Sequence, residues 1–124
     1  MNILFLCAAL AQSPAVDETI EPIEAFQLFE IAVEKYPHLI LDESLCKSSQ
    51  KWANHLAKNK KFHHDKGVRE NIAKGYKTCR ACMNAWFKSS GHNVQFKRNK
   101  LVGFGVQTSG KTRYWVARFK NKLR

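Results

Sequence analysis

Residues 63–75 read HHDKGVRENIAKG and contain a dense group of side chains that could do chemistry. His63, His64 and Asp65 are adjacent, and Glu70 follows five residues after Asp65. Neutral imidazoles bind Zn²⁺ or Cu²⁺ through nitrogen, and a nearby carboxylate can be a third ligand, orient an imidazole N–H or act as a base. Because a durable catalytic zinc site usually has three protein ligands, a pair of histidines such as His64 and His92, further along the chain, predicts only a weakly held, exchangeable metal.

Charge is divided unevenly between the two parts of the chain. The net charge is +11, but residues 1–45 contain one Lys and eight Asp or Glu, a net charge of −7. Residues 46–124 contain twenty Lys or Arg and only two carboxylates, Asp65 and Glu70, a net charge of +18. The basic part favours anionic partners such as acidic lipid, polysaccharide or nucleic acid, with a solvated basic surface as the plain alternative.

The first residues, MNILFLCAALAQS, are typical of a short secretion signal. The run from Ile3 to Leu10 is apolar, and Ala9-Leu10-Ala11 has the small-x-small form of a signal-peptidase site. No Lys or Arg precedes the apolar run, so a first strand or a buried segment is the alternative. We predict a short or truncated signal peptide over residues 1–11, a single domain over residues 19–124 and secretion of the protein.

The cysteines are Cys7, Cys46, Cys79 and Cys82. The last two have C-x-x-C spacing, which on a helix places the thiols about one turn apart and suits a redox pair or half of a zinc site. Because the sequence contains no second C-x-x-C, a four-cysteine zinc site is not completed. We expect this pair to form a local disulfide or to be two small buried thiols.

The elements that must position these residues are predicted from apolar spacing and from capping residues. Helices are expected over residues 19–36, from near Ser44 onward, and over residues 78–89, after which Ser90-Gly91 breaks the helix. Between the second and third helices, residues 62–77 predict a loop with a short helical turn at residues 70–73.

The C-terminal part changes its period from helical to extended. The stretches LVGFGVQ (101–107) and TRYWVARF (112–119) predict two strands of a hairpin, and Tyr114, Trp115 and Trp86 are expected in the core. Helices that come first and an antiparallel hairpin that comes last predict an α+β fold with helices covering a sheet.

Four stretches together resemble the CAP superfamily, the SCP domain of cysteine-rich secretory proteins, insect venom antigen 5 and plant pathogenesis-related proteins. They are LCKSSQKWANHLAKNKKFHHD (45–65), like a helix ending in F-x-H; ENIAKG (70–75), like G-E-N-I-A; AWFKSSGHN (85–93), like the W-x-x-S-P-G-H of the short bacterial-type members; and residues 101–119, like the closing G-x-G hairpin and Y-W-V strand. The first 44 residues match poorly and lack the H-N-x-x-R pattern of the family's first helix.

The resemblance implies a single-domain, three-layer α-β-α sandwich with a small antiparallel sheet. It also implies a cleft lined by His64, Glu70 and His92, with Ser89 where many members have a second glutamate. His64 and His92 would be the ligands of any weakly held Zn²⁺. His63 competes with His64 for the histidine position, and Asn71 is expected to bond the backbone.

Residues beside the implied cleft are given separate roles. Arg69 stands where the family usually has glycine, and we expect its side chain to screen Glu70 or partly block the site. We expect His63, Asp65 and Lys66 on the loop surface.

The resemblance implies a secreted binding module for a sterol, a fatty acid, or an anionic membrane or cell-wall surface. The alternative is a zinc-dependent hydrolase in which His64 and His92 hold Zn²⁺ and Glu70 activates water. A third hypothesis, ranked last, is a nonspecific nucleic-acid- or polyanion-binding domain, since basic and aromatic residues interleave in FKRNKLVGF and KTRYWVARFK. We expect binding rather than catalysis, with no cofactor other than Zn²⁺.

Overall fold

The computed structural model describes residues 22–121 and forms four helices and four strands within them. In chain order these are α1 (Pro22–Lys35), β1 (Ile40–Leu41), α2 (Glu43–Asn59), β2 (Arg69–Lys74), α3 (Cys79–Lys88), α4 (Ser90–Arg98), β3 (Leu101–Ser109) and β4 (Thr112–Lys120). The predicted signal peptide and the predicted helix start at Thr19 lie outside the described residues.

The three predicted helices are present, and their ends have local causes. At the start of α2 the Asp42 carboxylate accepts a hydrogen bond from the Leu45 N–H at 2.9 Å, and at its end Lys60 has left-handed backbone, with φ of 51°. At the start of α3 the Thr78 hydroxyl accepts from the Ala81 N–H at 3.1 Å. α3 ends at Lys88, close to the predicted end, but the prediction that Ser90-Gly91 breaks the helical structure is wrong, because these two residues begin a fourth helix, α4, that was not predicted.

The strands form one sheet in the order β1-β3-β4-β2. β3 and β4 make the predicted hairpin, and β2 pairs antiparallel with β4 from Arg69↔Phe119 to Lys74↔Tyr114. The two residues of β1 add a parallel edge, so the sheet is mixed although its three long strands are antiparallel. The prediction of a helical turn at residues 70–73 is wrong, because these residues pair with a strand at the far end of the chain.

Side chains of β4 alternate between two apolar layers. Trp115, Ala117 and Phe119 pack with α1, α3 and α4, whereas Tyr114 and Val116 pack with α2. The predicted three-layer α-β-α sandwich is therefore confirmed. Trp86, Trp115 and Tyr114 are buried, as predicted.

Helix α2 lies directly on the backbone of β3. A Cβ atom on Gly103 would fall 2.2 Å from the Cys46 nitrogen, and one on Gly105 would fall 2.4 Å from the Gln50 nitrogen. The Gln50 amide donates to the Val106 carbonyl at 2.8 Å and accepts from its N–H at 3.1 Å. These contacts hold the first half of α2 against the sheet, and because the helix is continuous they also orient its end and the segment that follows it.

Of the two arrangements expected for the C-x-x-C pair, the structure shows buried free thiols. Cys79 and Cys82 are 9% and 0% exposed, and neither is in a disulfide. Burial raises the pKa of Cys79 to about 11 and also raises the pKa of Cys82, so neither thiol is a ready nucleophile. Cys46 is also free, and Cys7 lies outside the described residues.

Candidate functional site

Glu70 lies on β2 directly opposite Arg118 of β4, on the face of the sheet that α2 covers. Its side chain has no exposed surface. One carboxylate oxygen, Oε2, accepts a hydrogen bond from the Asp65 N–H at 2.9 Å, and the other, Oε1, lies 3.7 Å from Arg118 Nη2. Glu70, the one carboxylate that the family resemblance assigned to a cleft, is thus held by other groups of this chain.

Arg118 connects three parts of the structure. Its side chain is 10% exposed, and its guanidinium donates to the Asp65 carboxylate at 2.8 Å and to the Ser48 hydroxyl on α2 at 3.0 Å. The expectation that Asp65 lies on the loop surface is therefore wrong. Its carboxylate instead holds the segment that follows α2 against Arg118. Within residues 22–121, neither Glu70 Oε1 nor Arg118 Nε has a hydrogen-bond partner, so Glu70 and Arg118 attract each other as charges only.

His64, and not His63, lies beside Glu70. Its Nδ1 is 3.7 Å from Glu70 Oε2, and its side chain is 58% exposed while that of Glu70 is covered. His63 turns toward α2, where its ring meets the edge of Trp52 at a centroid distance of 5.3 Å and the Trp52 indole donates to its carbonyl. His64 is thus the imidazole that stands between Glu70 and solvent.

His92 and Ser89 form a second polar pair at the start of α4. His92 Nδ1 and Ser89 Oγ are 2.9 Å apart, and both residues are half-buried. The buried Asn71 side chain donates to the His92 carbonyl at 3.0 Å, a backbone bond of the kind expected for this residue. Since alternate residues of a strand face opposite sides, Glu70 lies on the face of the sheet that α2 covers, and Asn71 lies on the face that carries α4.

The pKa values of the site residues follow from burial and neighbouring charge. Burial raises the pKa of Glu70, and the hydrogen bond from Asp65 and the charge of Arg118 offset this only in part. Burial lowers the pKa of His92, and the positive charge of His64 lowers it further, so the two imidazoles are electrostatic neighbours. His92 is therefore neutral at physiological pH.

Arg69 does not face Glu70. As the neighbour of Glu70 on a strand it points to the opposite side, where its guanidinium donates to the Asn99 side chain at 3.2 Å. The expected screening of Glu70 comes from Arg118 instead. Arg118 was not identified from the sequence as a site residue. Only the register of β2 on β4 places it opposite Glu70, and spacing along the sequence does not reveal that register.

The arrangement supplies two candidate ligands for a metal and not three. Among residues 22–121, no group of three His, Cys, Asp or Glu side chains could hold a metal ion. Glu70 is engaged by Arg118 and Asp65, which leaves His64 and His92 as the nitrogen donors. These residues do not fit a three-ligand zinc centre, and a weakly held metal on the two histidines stays a prediction.

The sequence model of the CAP family, the cysteine-rich secretory protein family, matches residues 34–119. The chain belongs to the CAP family. None of the curated proteins compared matches this CAP sequence.

Solved structures resemble the CAP domain in fold. An extracellular protein containing a SCP domain from Bacillus anthracis str. Ames superposes with a TM-score of 0.62 at 18% identity, covering 88% of this chain and 45% of that one. A cysteine-rich secretory protein from Staphylococcus aureus subsp. aureus Mu50 gives a TM-score of 0.48 at 14% identity, covering 88% of this chain and 41% of that one. The CAP chain thus spans less than half the length of either protein.

Of the helices between residues 22 and 121, none is both long enough and apolar enough to span a bilayer.

Proposed function

We propose that this CAP domain is a secreted binding module whose cleft receives the polar end of a sterol or a fatty acid. His64, Ser89 and His92 are the groups that contact this ligand. The buried Glu70 does not contact the ligand but positions His64. The observation that carries the proposal is the state of Glu70, whose carboxylate is fully covered and is shared between Arg118 and the Asp65 N–H.

A covered, ion-paired carboxylate is suited to positioning and not to activating water. A general base must come within hydrogen-bond distance of the proton that it removes, whereas no part of the Glu70 side chain reaches solvent. Its role is to hold the exposed His64 ring in place, through the 3.7 Å contact between Glu70 Oε2 and His64 Nδ1. The zinc-hydrolase alternative assigns water activation to this same carboxylate, so the geometry does not favour it.

The polar groups that remain accessible suit a hydroxyl or carboxyl head group. His64 is exposed, and the neutral His92 shares a hydrogen bond with the Ser89 hydroxyl that a ligand oxygen can join or replace. An imidazole and a hydroxyl of this kind both donate and accept hydrogen bonds. Secretion is supported by the Bacillus anthracis neighbour, which is described as an extracellular protein.

Binding of a fluorescent sterol and a fluorescent fatty acid at physiological salt tests the proposal. Loss of one neutral hydrogen bond corresponds to about 1 kcal/mol, so His64→Ala and His92→Ala should each weaken binding by roughly 5-fold. His63→Ala is the matched control, because its ring faces Trp52 and not Glu70. No binding by the wild-type protein, or equal loss in the control, would overturn the proposal.

The hydrolase alternative is tested on the same variants. Zinc-loaded wild-type protein is incubated with peptide and ester substrates, and we expect no turnover above that of His92→Ala. Turnover that requires both His92 and Glu70 would replace the binding function with the enzymatic one.

A further inference from the structure

Residues 58–69 form a continuous exposed segment, interrupted only by the half-buried Asp65, and are here called the basic segment. Two large apolar side chains in it face solvent, Phe62 at 45% exposure and Val68 at 40%. Its cationic residues are Lys58, Lys60, Lys61, Lys66 and Arg69. A surface with exposed apolar residues among so many cations differs from an ordinary solvated face, which mixes both signs of charge.

The basic segment runs along β2, which is an edge strand of the sheet. At one end of β2 the Lys74 ammonium lies 5.7 Å from the centre of the Phe62 ring, and toward the other end His64 and Asp65 contact Glu70. The cations and the two apolar side chains are therefore spread along one edge of the molecule. Lys74 adds a further positive charge beside Phe62.

No carboxylate compensates these charges. In the described part of the chain, none of the five cations of the basic segment, nor Lys74, is within salt-bridge distance of an acidic group. Asp65, the one acidic residue of the segment, is paired with Arg118. The charge of the edge is thus free to meet an external anion.

We propose that the basic segment and Lys74 dock this protein on the surface of an anionic phospholipid bilayer. The lysines meet lipid phosphates and carboxylates, and Phe62 and Val68 enter the boundary between head groups and acyl chains. A soluble polyanion is a poorer fit, because it has no apolar layer in which the two exposed apolar side chains could be buried. Lysine stems can lie along apolar surface while their ammonium groups stay at the polar boundary.

Docking by this edge would place the cleft at the membrane. His64 belongs to the basic segment, so a docked molecule presents this imidazole to the layer from which a sterol or fatty acid is taken. Only this consequence rests on the proposed function; the docking surface itself does not require the cleft to bind a lipid.

Co-sedimentation with vesicles at physiological salt tests the docking surface. One vesicle contains phosphatidylcholine alone, and the other contains equal parts of phosphatidylcholine and phosphatidylserine. We expect binding to the anionic vesicle only. Since a lysine near such a surface contributes about 1 kcal/mol, the double variant Lys60→Gln/Lys61→Gln should bind it roughly 25-fold more weakly.

Two further variants separate the docking surface from net charge. Phe62→Ser keeps every charge and should still weaken vesicle binding several-fold, because the apolar contact is lost. Lys88→Gln/Lys97→Gln removes two exposed cations from α3 and α4, in the layer opposite α2, and should stay within about twofold of wild type. Equal loss in this control, no effect of Phe62→Ser, or equal binding to both vesicles would overturn the proposal.

The docking proposal and the proposed function can fail separately. His92→Ala alters the cleft on α4 and should leave vesicle binding unchanged while it weakens sterol or fatty-acid binding. Vesicle binding without any binding of soluble sterol or fatty acid would end the proposed function and leave the docking surface standing. Thermal unfolding followed by circular dichroism shows that each variant is folded before it is assayed.

Discussion

At the scale of single residues, Glu70 and Arg118 face each other across β2 and β4 with almost no contact with solvent. Removing both ions from water is expensive, and their attraction offsets this only while the other groups around them stay in place. Asp65 and Ser48 accept hydrogen bonds from Nη2 and Nη1 of the guanidinium, which gives the buried charge two polar partners besides Glu70. Arg118 is therefore a structural support of Glu70 and of the segment that follows α2.

Arg118→Ala should lower the free energy of unfolding by about 3 kcal/mol at pH 7, because the buried Glu70 charge loses its partner. Loss of Arg118 also raises the pKa of Glu70 further, so the folded variant takes up a proton at a higher pH than its unfolded chain does. The penalty is thus full at neutral pH and shrinks as the pH falls through that raised pKa. Urea denaturation at several pH values measures both effects.

Arg69→Ala is the control for this prediction. Arg69 is exposed, lies on the same strand as Glu70 and makes one hydrogen bond with Asn99, so its loss should lower the free energy of unfolding by at most about 1 kcal/mol. Equal effects of the two substitutions would mean that the ion pair with Glu70 does not stabilise the fold.

His92 should titrate below the ordinary histidine pKa of 6.5, because burial is the main cause of its shift and the His64 charge adds to it. His64→Gln should raise the pKa of His92 without restoring the ordinary value. In the wild type the unfolded chain binds the His92 proton first, so this residue lowers stability as the pH falls through 6.5 toward its folded pKa. Imidazole NMR titration measures the pKa, and His38→Gln is the control; an unchanged pKa in His64→Gln would show that the two histidines do not interact.

At the scale of elements, α2 and β3 are in contact through backbone atoms. Gly103 and Gly105 have no side chain to separate them, and the Ser49 hydroxyl donates to the Gly103 carbonyl at 3.1 Å. At this close distance the side-chain amide of Gln50 makes two hydrogen bonds with the backbone of Val106, one to its carbonyl and one from its N–H. The position of the basic segment depends on this contact, because that segment continues from the end of α2.

Gly103→Ala should be strongly destabilising, by about 3 kcal/mol or more, since its Cβ would overlap backbone atoms of Leu45 and Cys46. Gly91→Ala, with no atom within 4 Å of the added Cβ, should change stability by less than about 1 kcal/mol. Thermal unfolding compares the two variants with the wild type. A Gly103→Ala protein as stable as Gly91→Ala would contradict the direct packing of α2 on β3.

At the scale of the whole molecule, the acidic helix α1 is joined to the basic remainder by ion pairs. Glu24 pairs with the half-buried Arg113, and Glu34 with the exposed Arg80 at 3.1 Å. The chain as a whole nevertheless has a net charge of +11. Mutual repulsion of this charge opposes the compact state.

Addition of sodium chloride from a low-salt buffer to physiological ionic strength should raise the midpoint of thermal unfolding, because it screens this repulsion. Lys60→Gln/Lys61→Gln should respond less to salt than the wild type does. A midpoint that falls with salt would mean that the ion pairs of α1 outweigh the repulsion.

The features that the sequence determined by itself depend on residues close together in the chain. Apolar spacing and the caps at Asp42 and Thr78 set the helices α2 and α3, and a turn between two extended runs set the β3–β4 hairpin. The family followed from four short motifs in a specific order. Each of these signals is local, because a cap, a helical stripe and a tight turn are all completed within a few residues.

Only the tertiary structure decided the environment of Glu70. Residues 70–73 have no strong local preference, and they become a strand because β4 offers its free edge to them. That pairing places Arg118 opposite Glu70, turns Arg69 to the other side and lets Asn71 hold the backbone of His92. The register between two distant strands sets all three outcomes, and a shift of one residue would reverse every side chain, which is why spacing along the sequence could not predict them.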